Sequence, residues 1–287
     1  MQPPDVRDRG RLVPLGTLVR ASHPAPTAAV TLLAALLAGA AGYSPAGAGL
    51  IALATLTGQI SIGLGNDVRD RVLDEQSGRL DKPLVAEPAT AVLAWRIAVT
   101  ALIASVPLSV AAAGWQGGLL NVAAISCGWA YNIGLSRTTF SWLPYGIAFA
   151  LLPAFVTLGA PLPHWPPLWL MVACAGLGIA AHLANALRDR ERDAASGVGG
   201  SAVVLGRVRT RIVAAVAVAI AGVAVTTGAM ALAPILGALV GVLGAVVLIA
   251  LVMLVPTRAL FSVLMAAALL QAGAVLLLLA AVQPVRA

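Results

Sequence analysis

Charge is scarce in this chain. Of its 287 residues 10% are Asp, Glu, Lys or Arg while 60% are hydrophobic, and the mean hydropathy is +0.95, a balance that excludes a water-exposed globular surface. Only two cysteines and three histidines are present, scattered between positions 23 and 182, so the sequence shows neither a disulfide framework nor a Cys/His cluster at zinc-ligand spacing. Cys127 and Cys174 both fall inside apolar runs and read as small core residues. The period-2 alternation of membrane-barrel strands is absent too. The opening stretch MQPPDVRDRGRLVPLGTLVRASHP is too polar for a cleavable signal sequence and carries no lipidation motif, so the first apolar run is expected to act as the membrane-targeting signal.

What is present is Ala, Leu, Val and Gly in runs long enough to cross the ~30 Å hydrocarbon layer as helix. Nine such runs lie near 26–42, 46–66, 89–112, 117–134, 141–160, 166–186, 211–230, 234–255 and 258–281. Lipid offers backbone amides no partner, so spans of this composition must be helices. The expected fold is an all-α polytopic membrane bundle of about nine helices behind an N-terminal tail, residues 1–25.

Basic residues set the expected orientation. The tail holds Arg7, Arg9, Arg11 and Arg20; Arg69, Arg71, Arg79 and Lys82 follow the second run; Arg137 follows the fourth; Arg188, Arg190, Arg192, Arg207, Arg209 and Arg211 follow the sixth; and Arg258 follows the eighth. The segments after runs one, three, five and seven hold none. By the positive-inside rule the N-terminus and the even-numbered loops face the cytoplasm, and the C-terminus with Arg286 lies outside a cell membrane. The net charge of +7 is thereby accounted for by topology, and nucleic acid is not an expected partner.

The eleven acids are more selective still. Asp5 and Asp8 stand in the tail, Asp67, Asp70, Asp74, Glu75, Asp81 and Glu87 just after run two, and Asp189, Glu191 and Asp193 just after run six. Charge balance alone would not confine every acid beyond the tail to two of four available loops. Set over one another, NDVRDRVLDEQSG (66–78) and NALRDRERDAASG (185–197) share Asn, Arg, Asp, Arg, Asp, Ser and Gly in register. Each copy ends an even-numbered run. The chain therefore reads as two halves in parallel orientation, about 26–134 and 141–255, followed by a ninth helix.

Within each copy Asn66, Asp70 and Asp74, and likewise Asn185, Asp189 and Asp193, are four apart, one oxygen-bearing stripe on a helix continuing out of the membrane. Two facing stripes make an acidic cleft that requires a cation, and oxygen donors without a His/Cys cluster favour Mg²⁺. Magnesium usually shares its shell with substrate phosphates, which explains Arg69, Arg71, Arg188 and Arg190 among the acids. The expected ligand is a phosphorylated or diphosphorylated lipid, its tail among the spans.

At these residues the sequence resembles the UbiA superfamily of intramembrane prenyltransferases. The first signature, Asn-Asp-x-x-Asp-x-x-x-Asp, stands here as NDVRDRVLD, and the second aspartate-rich signature is matched by DRERD, Asp189 to Asp193. Shorter likenesses are LVRASHP (18–24), DKPL (81–84) and YNIGLSR (131–137). The segment SGVGGSAVV departs from the family by lacking a basic residue and Thr, and Asn185 stands where some members have Asp.

The resemblance implies Mg²⁺-dependent transfer of a prenyl group from a prenyl diphosphate to an aromatic or other lipophilic acceptor. Asp67, Asp70, Asp74, Asp189 and Asp193, with Asn66 and Asn185, would hold the metal on the diphosphate. Arg71, Lys82, Arg137 and Arg188 would neutralise it further, and Tyr131, Trp129 and Tyr145 would face the allylic cation. His182, one turn before Asn185, reads either as a base toward the acceptor or as a histidine hydrogen-bonded within the bundle. A terpene cyclase or a polyprenyl-phosphate phosphoribosyltransferase would use a similar cleft, and a small-molecule transporter is the alternative of another class. Acids gathered at one membrane face count against transport.

Overall fold

A computed structural model describes residues 15–282, with side chains to Leu277. The tail residues Asp5, Arg7, Asp8, Arg9 and Arg11, and Arg286, lie outside the described residues. Ten α-helices run in the order α1 (Leu15–Ala21), α2 (Pro24–Ala40), α3 (Pro45–Gln76), α4 (Pro83–Ala86), α5 (Ala91–Ile133), α6 (Leu143–Leu158), α7 (Leu168–Ala195), α8 (Ser201–Leu232), α9 (Pro234–Leu254) and α10 (Thr257–Val282). Short 3₁₀ turns stand at Pro88–Thr90 and Leu135–Arg137. No strand occurs among the described residues.

By length and apolarity six helices are able to cross a membrane, or seven if the bent pair α1 and α2 is one span. The expected count of nine is not reached by this measure, for two physical reasons. Two of the expected runs merge in α5, where Ala113 and Gly114 leave helical geometry. The chain reverses there, because Asn121 Nδ2 donates to Ser109 Oγ at 2.8 Å, whereas twelve residues of straight helix would hold them about 18 Å apart. α6, at 16 residues, is shorter than the other apolar helices.

Helix α3 starts on Ser44, whose side chain accepts the Gly47 amide at 3.2 Å, an ordinary N-cap that satisfies one free donor. The close approach of α3 to α5 depends on small residues: a Cβ at Gly65 would lie 2.8 Å from the Trp129 ring. Trp129 Nε1 then donates to Ser61 Oγ at 2.9 Å, and Asn132 Nδ2 to the Ile62 carbonyl at 2.9 Å. α2, α3, α5, α6 and α7 pack in succession, and α10 closes the ring by packing on α7, α9 and α2.

α3 and α7 both outrun their apolar stretches and end alike. The Arg79 amide reaches the Asp74 carbonyl at 2.9 Å and the Gly78 amide the Glu75 carbonyl at 3.1 Å; Val198 reaches Asp193 at 2.8 Å and Gly197 reaches Ala194 at 3.3 Å. Both are Schellman endings, which place the C′ residue in the left-handed region. Gly78 (φ 71°) and Gly197 (φ 72°) occupy it, a conformation that side chains disfavour.

Candidate active site

The two helix ends meet. Ser77 Oγ and Ser196 Oγ, equivalent positions of the sequence repeat, hydrogen-bond to each other at 2.9 Å. Beneath them a cavity of about 1270 Å³ runs into the bundle, and Asn66, Asp70, Asp74, Asn185, Asp189 and Asp193 all line it. The i, i+4 spacing is what turns each triplet toward one space. On α7 the stripe continues without interruption through Ala181, Leu177, Ala173 and Trp169, each four residues further from the motif and each lining the cavity.

Two cations come from the segment that follows α3. Arg79 Nη1 donates to Asp74 Oδ1 at 2.9 Å, and Arg79 Nη2 lies 3.8 Å from Asp189 Oδ1, so one guanidinium contacts both stripes. Lys82 Nζ donates to Asp67 Oδ1 at 2.8 Å and stands 3.9 Å from Asp74 Oδ2. The left-handed turn at Gly78 sends the chain back along α3 and brings both residues over the cleft. Asn66 Nδ2 donates to Asp70 Oδ2 at 3.0 Å, orienting that carboxylate, and Arg192 pairs with Asp189.

Of the residues singled out in the sequence, Lys82, Tyr131, Arg137 and Arg188 join the six stripe residues on the cavity wall. Six do not line it: Arg69, Arg190, Asp67, Arg71, His182 and Trp129, the last because its ring is packed against Gly65 between α3 and α5 rather than facing the space for an allylic cation. Asp67 is 3% exposed and points to Lys82 and His23, whose Nε2 lies 3.1 Å from Asp67 Oδ1. Arg71 is half-buried off the cavity, because it follows Asp70 by one position and so leaves the stripe by about 100°. His182 is buried and hydrogen-bonded within the bundle: Nε2 is 3.0 Å from Ser141 Oγ, which donates to Ser201 Oγ at 2.8 Å. Its ring packs on Tyr145 and Tyr131, with centroids at 4.7 and 5.5 Å, and those two tyrosines, 5.2 Å apart and edge-on, do face the cavity.

Sequence reasoning counted Arg79 for orientation alone and missed its bridging position. The signal was available: it follows the left-handed Gly78 by one residue, where a Schellman ending turns the chain toward Asp74. Arg69 instead donates to the carbonyl of Asn132 at 3.1 Å and supports the end of α5. Both cysteines are free; Cys174 lines the cavity and Cys127 is half-buried.

No three Asp, Glu, His or Cys side chains converge on one preformed metal position among the described residues. Donors that are all oxygen, divided between two helix ends and facing a shared space, suit a cation whose shell is completed by ligand oxygens and water.

An all-helical membrane bundle with paired acidic helix ends over an apolar cavity defines an intramembrane enzyme class built on the bundle core. The model of the UbiA prenyltransferase family matches residues 27–270, and the chain belongs to that family. No curated protein matches it in sequence. Among solved structures it is similar to a UbiA homologue from Archaeoglobus fulgidus bound to GPP and Mg²⁺, at TM-score 0.68 and 18% identity over 91% of this chain and 99% of that one. An apo UbiA homologue from Aeropyrum pernix K1 matches at TM-score 0.65 and 17% identity, covering 92% and 98%. A digeranylgeranylglyceryl phosphate synthase matches at 0.65 and 15%, covering 92% and 96%. These likenesses establish the shared fold.

Proposed function

We propose that the protein transfers a prenyl group from an isoprenyl diphosphate to an aromatic or other lipophilic acceptor inside the membrane, with Mg²⁺ as cofactor. One observation carries this reading: all six oxygen-bearing residues of the two motifs line one end of a single, largely apolar cavity. A diphosphate fits the polar end and a hydrocarbon chain the remainder. The A. fulgidus homologue bound to GPP and Mg²⁺ supports the same assignment.

Asn66, Asp70, Asp74, Asn185, Asp189 and Asp193 would hold Mg²⁺ on the diphosphate. When bound, the metal supplies neutralisation of the charge that gathers on the leaving diphosphate. Arg79, Lys82, Arg137 and Arg188 add to that neutralisation from the protein itself, and act most strongly as the C–O bond breaks and its electron pair departs with the diphosphate. Tyr131 and Tyr145 border the space where the allylic cation would form. The apolar walls beyond them exclude water, which would otherwise capture the cation as an alcohol. Bond formation to the acceptor carbon then releases a proton. We assign the motif-bearing end to the cytoplasm, because the linkers at the opposite end hold no Lys or Arg.

The test is incubation of purified protein with labelled prenyl diphosphates, Mg²⁺ and a lipid extract, followed by mass spectrometry. Prenylated product is expected from the wild type and none from Asp70→Ala or Asp189→Ala, whose folding should be intact at these part-exposed helix ends. Near-normal turnover by either variant would remove that carboxylate from the ionisation step.

A further inference from the structure

The two stripes diverge as they leave the motifs. Beyond Asn66, α3 presents Ile62 and then the polar Gln59 and Thr55, with Asn121 of α5 close by on the same wall. Beyond Asn185, α7 presents Ala181, Leu177, Ala173 and Trp169 along the stripe, with Cys174 and Leu170 beside them. A hydrocarbon chain is better accommodated along the second wall, where no amide or hydroxyl side chain loses water to it. Trp169 stands at the far end of that wall. A Cβ at Gly228 of α8 would collide with the Trp169 indole, so the ring rests directly on backbone and is held in place.

The length of this wall follows from helix geometry. Ala181 and Trp169 are twelve residues apart, about 18 Å along the axis at 1.5 Å per residue. Three extended single bonds of a chain advance about 3.4 Å, so the four-bond repeat of an isoprene advances roughly 4.5 Å. Four repeats span the wall; two stop near Leu177 or Ala173. The cavity volume of about 1270 Å³, above the ~300–1,000 Å³ of small-molecule sites, agrees with a long chain accompanied by an acceptor.

We propose that the donor carries about four isoprene units laid along the Ala181–Trp169 wall, that Trp169 sets this length, and that the Gln59–Thr55–Asn121 wall is left to the acceptor. The proposal rests on the prenyl-transfer reading above. Burial of further chain carbons against the apolar wall predicts a kcat/KM for geranylgeranyl diphosphate about tenfold or more above that for geranyl diphosphate.

The experiment measures Mg²⁺-dependent consumption of the two-, three-, four- and five-unit diphosphates by wild type, Ala173→Phe and Trp169→Ala. Ala173→Phe should move the optimum to two or three units, and Trp169→Ala should raise activity with five units relative to four. If Ala173→Phe does not fold, Trp169→Ala still decides. Equal or better use of geranyl diphosphate by the wild type, or an unchanged profile in the folded variants, overturns the length assignment while leaving prenyl transfer standing. Consumption of none of the four overturns both.

Discussion

Removing Arg79 tests whether one guanidinium serves as counter-ion to both acidic stripes. Its Nη1 lies 2.9 Å from an Asp74 carboxylate that is 6% exposed, and its Nη2 is 3.8 Å from Asp189. Breaking a fully buried pair by deleting one partner costs about 3–5 kcal/mol, because the other charge is left without compensation. Arg79 itself is 19% exposed and Lys82 remains 3.9 Å from Asp74, so we expect Arg79→Ala to lower stability by about 2 kcal/mol, below that range. The acids left behind should then bind cations more readily. Added Mg²⁺ at tenfold excess over its Kd would restore about 1.4 kcal/mol to whichever form it binds, and the variant should gain more than the wild type at any given concentration. Turnover should nonetheless fall by about tenfold, since a cation beside the leaving group acts mainly in the transition state. Thermal unfolding in detergent, with and without Mg²⁺ and at fixed ionic strength, reads the first two effects; product formation reads the third. A variant as stable as the wild type, with no larger response to Mg²⁺, would refute the bridging role.

Asp74→Asn and Asp193→Asn should be non-additive by about 1 kcal/mol or more in binding of a non-hydrolysable prenyl diphosphate analogue with Mg²⁺, because both stripes face one space; simple additivity would mean that they act separately. Asp67→Asn should destabilise the protein by about 2 kcal/mol, since it removes the closer negative partner of the half-buried Lys82 while Asp74 remains 3.9 Å away, and Mg²⁺ binding measured by titration should fall less than in Asp70→Asn; the reverse ranking would return Asp67 to the metal. For orientation, Leu80→Cys and Leu162→Cys are suitable reporters in a background lacking Cys127 and Cys174, being 69% and 83% exposed in the parent. Position 80 should label from the cytoplasmic side and position 162 from outside, and the opposite pattern would invert the assigned topology.

Much of the site was legible because its signals are local. Four-residue spacing, two motif copies in register and apolar runs are properties of short stretches, and helix geometry converts them into stripes facing a cavity. Tertiary direction was less accessible. Asp67 belongs to the same motif as Asp70, yet three residues of helix turn it from the cavity toward His23 and Lys82. His182 sits on the motif helix, but three residues before Asn185 leave it about 60° off the stripe, and Ser141 and Ser201 from other elements claim its ring nitrogen. Apolar runs marked only the part of a helix that suits lipid: α3 continues ten residues beyond its expected end near 66, and α8 begins ten before its expected start near 211. Glu, Gln and Arg are good helix formers and carry the aspartates along once a nucleus exists, so hydropathy falls before the helix does. Both arms of α5 were expected, but the tightness of the reversal at Ala113–Gly114 was not, because it depends on Ser109 meeting Asn121.

The connections at the end of the bundle away from the motifs are unequal. α2 and α3 are joined by residues 41–44, the arms of α5 by the bend at Ala113–Gly114, and α8 and α9 by Ala233 alone, whereas residues 159–167 link α6 to α7. The first three have no slack to take up inserted sequence without pulling on packed helices. An affinity tag, fluorescent reporter or antibody epitope placed between helices on that side therefore has one tolerant address, at Leu162 and its neighbours. That address adjoins the rim where His164 and Trp169 line the cavity, so a bulky insertion there doubles as a plug for the far end of the chamber.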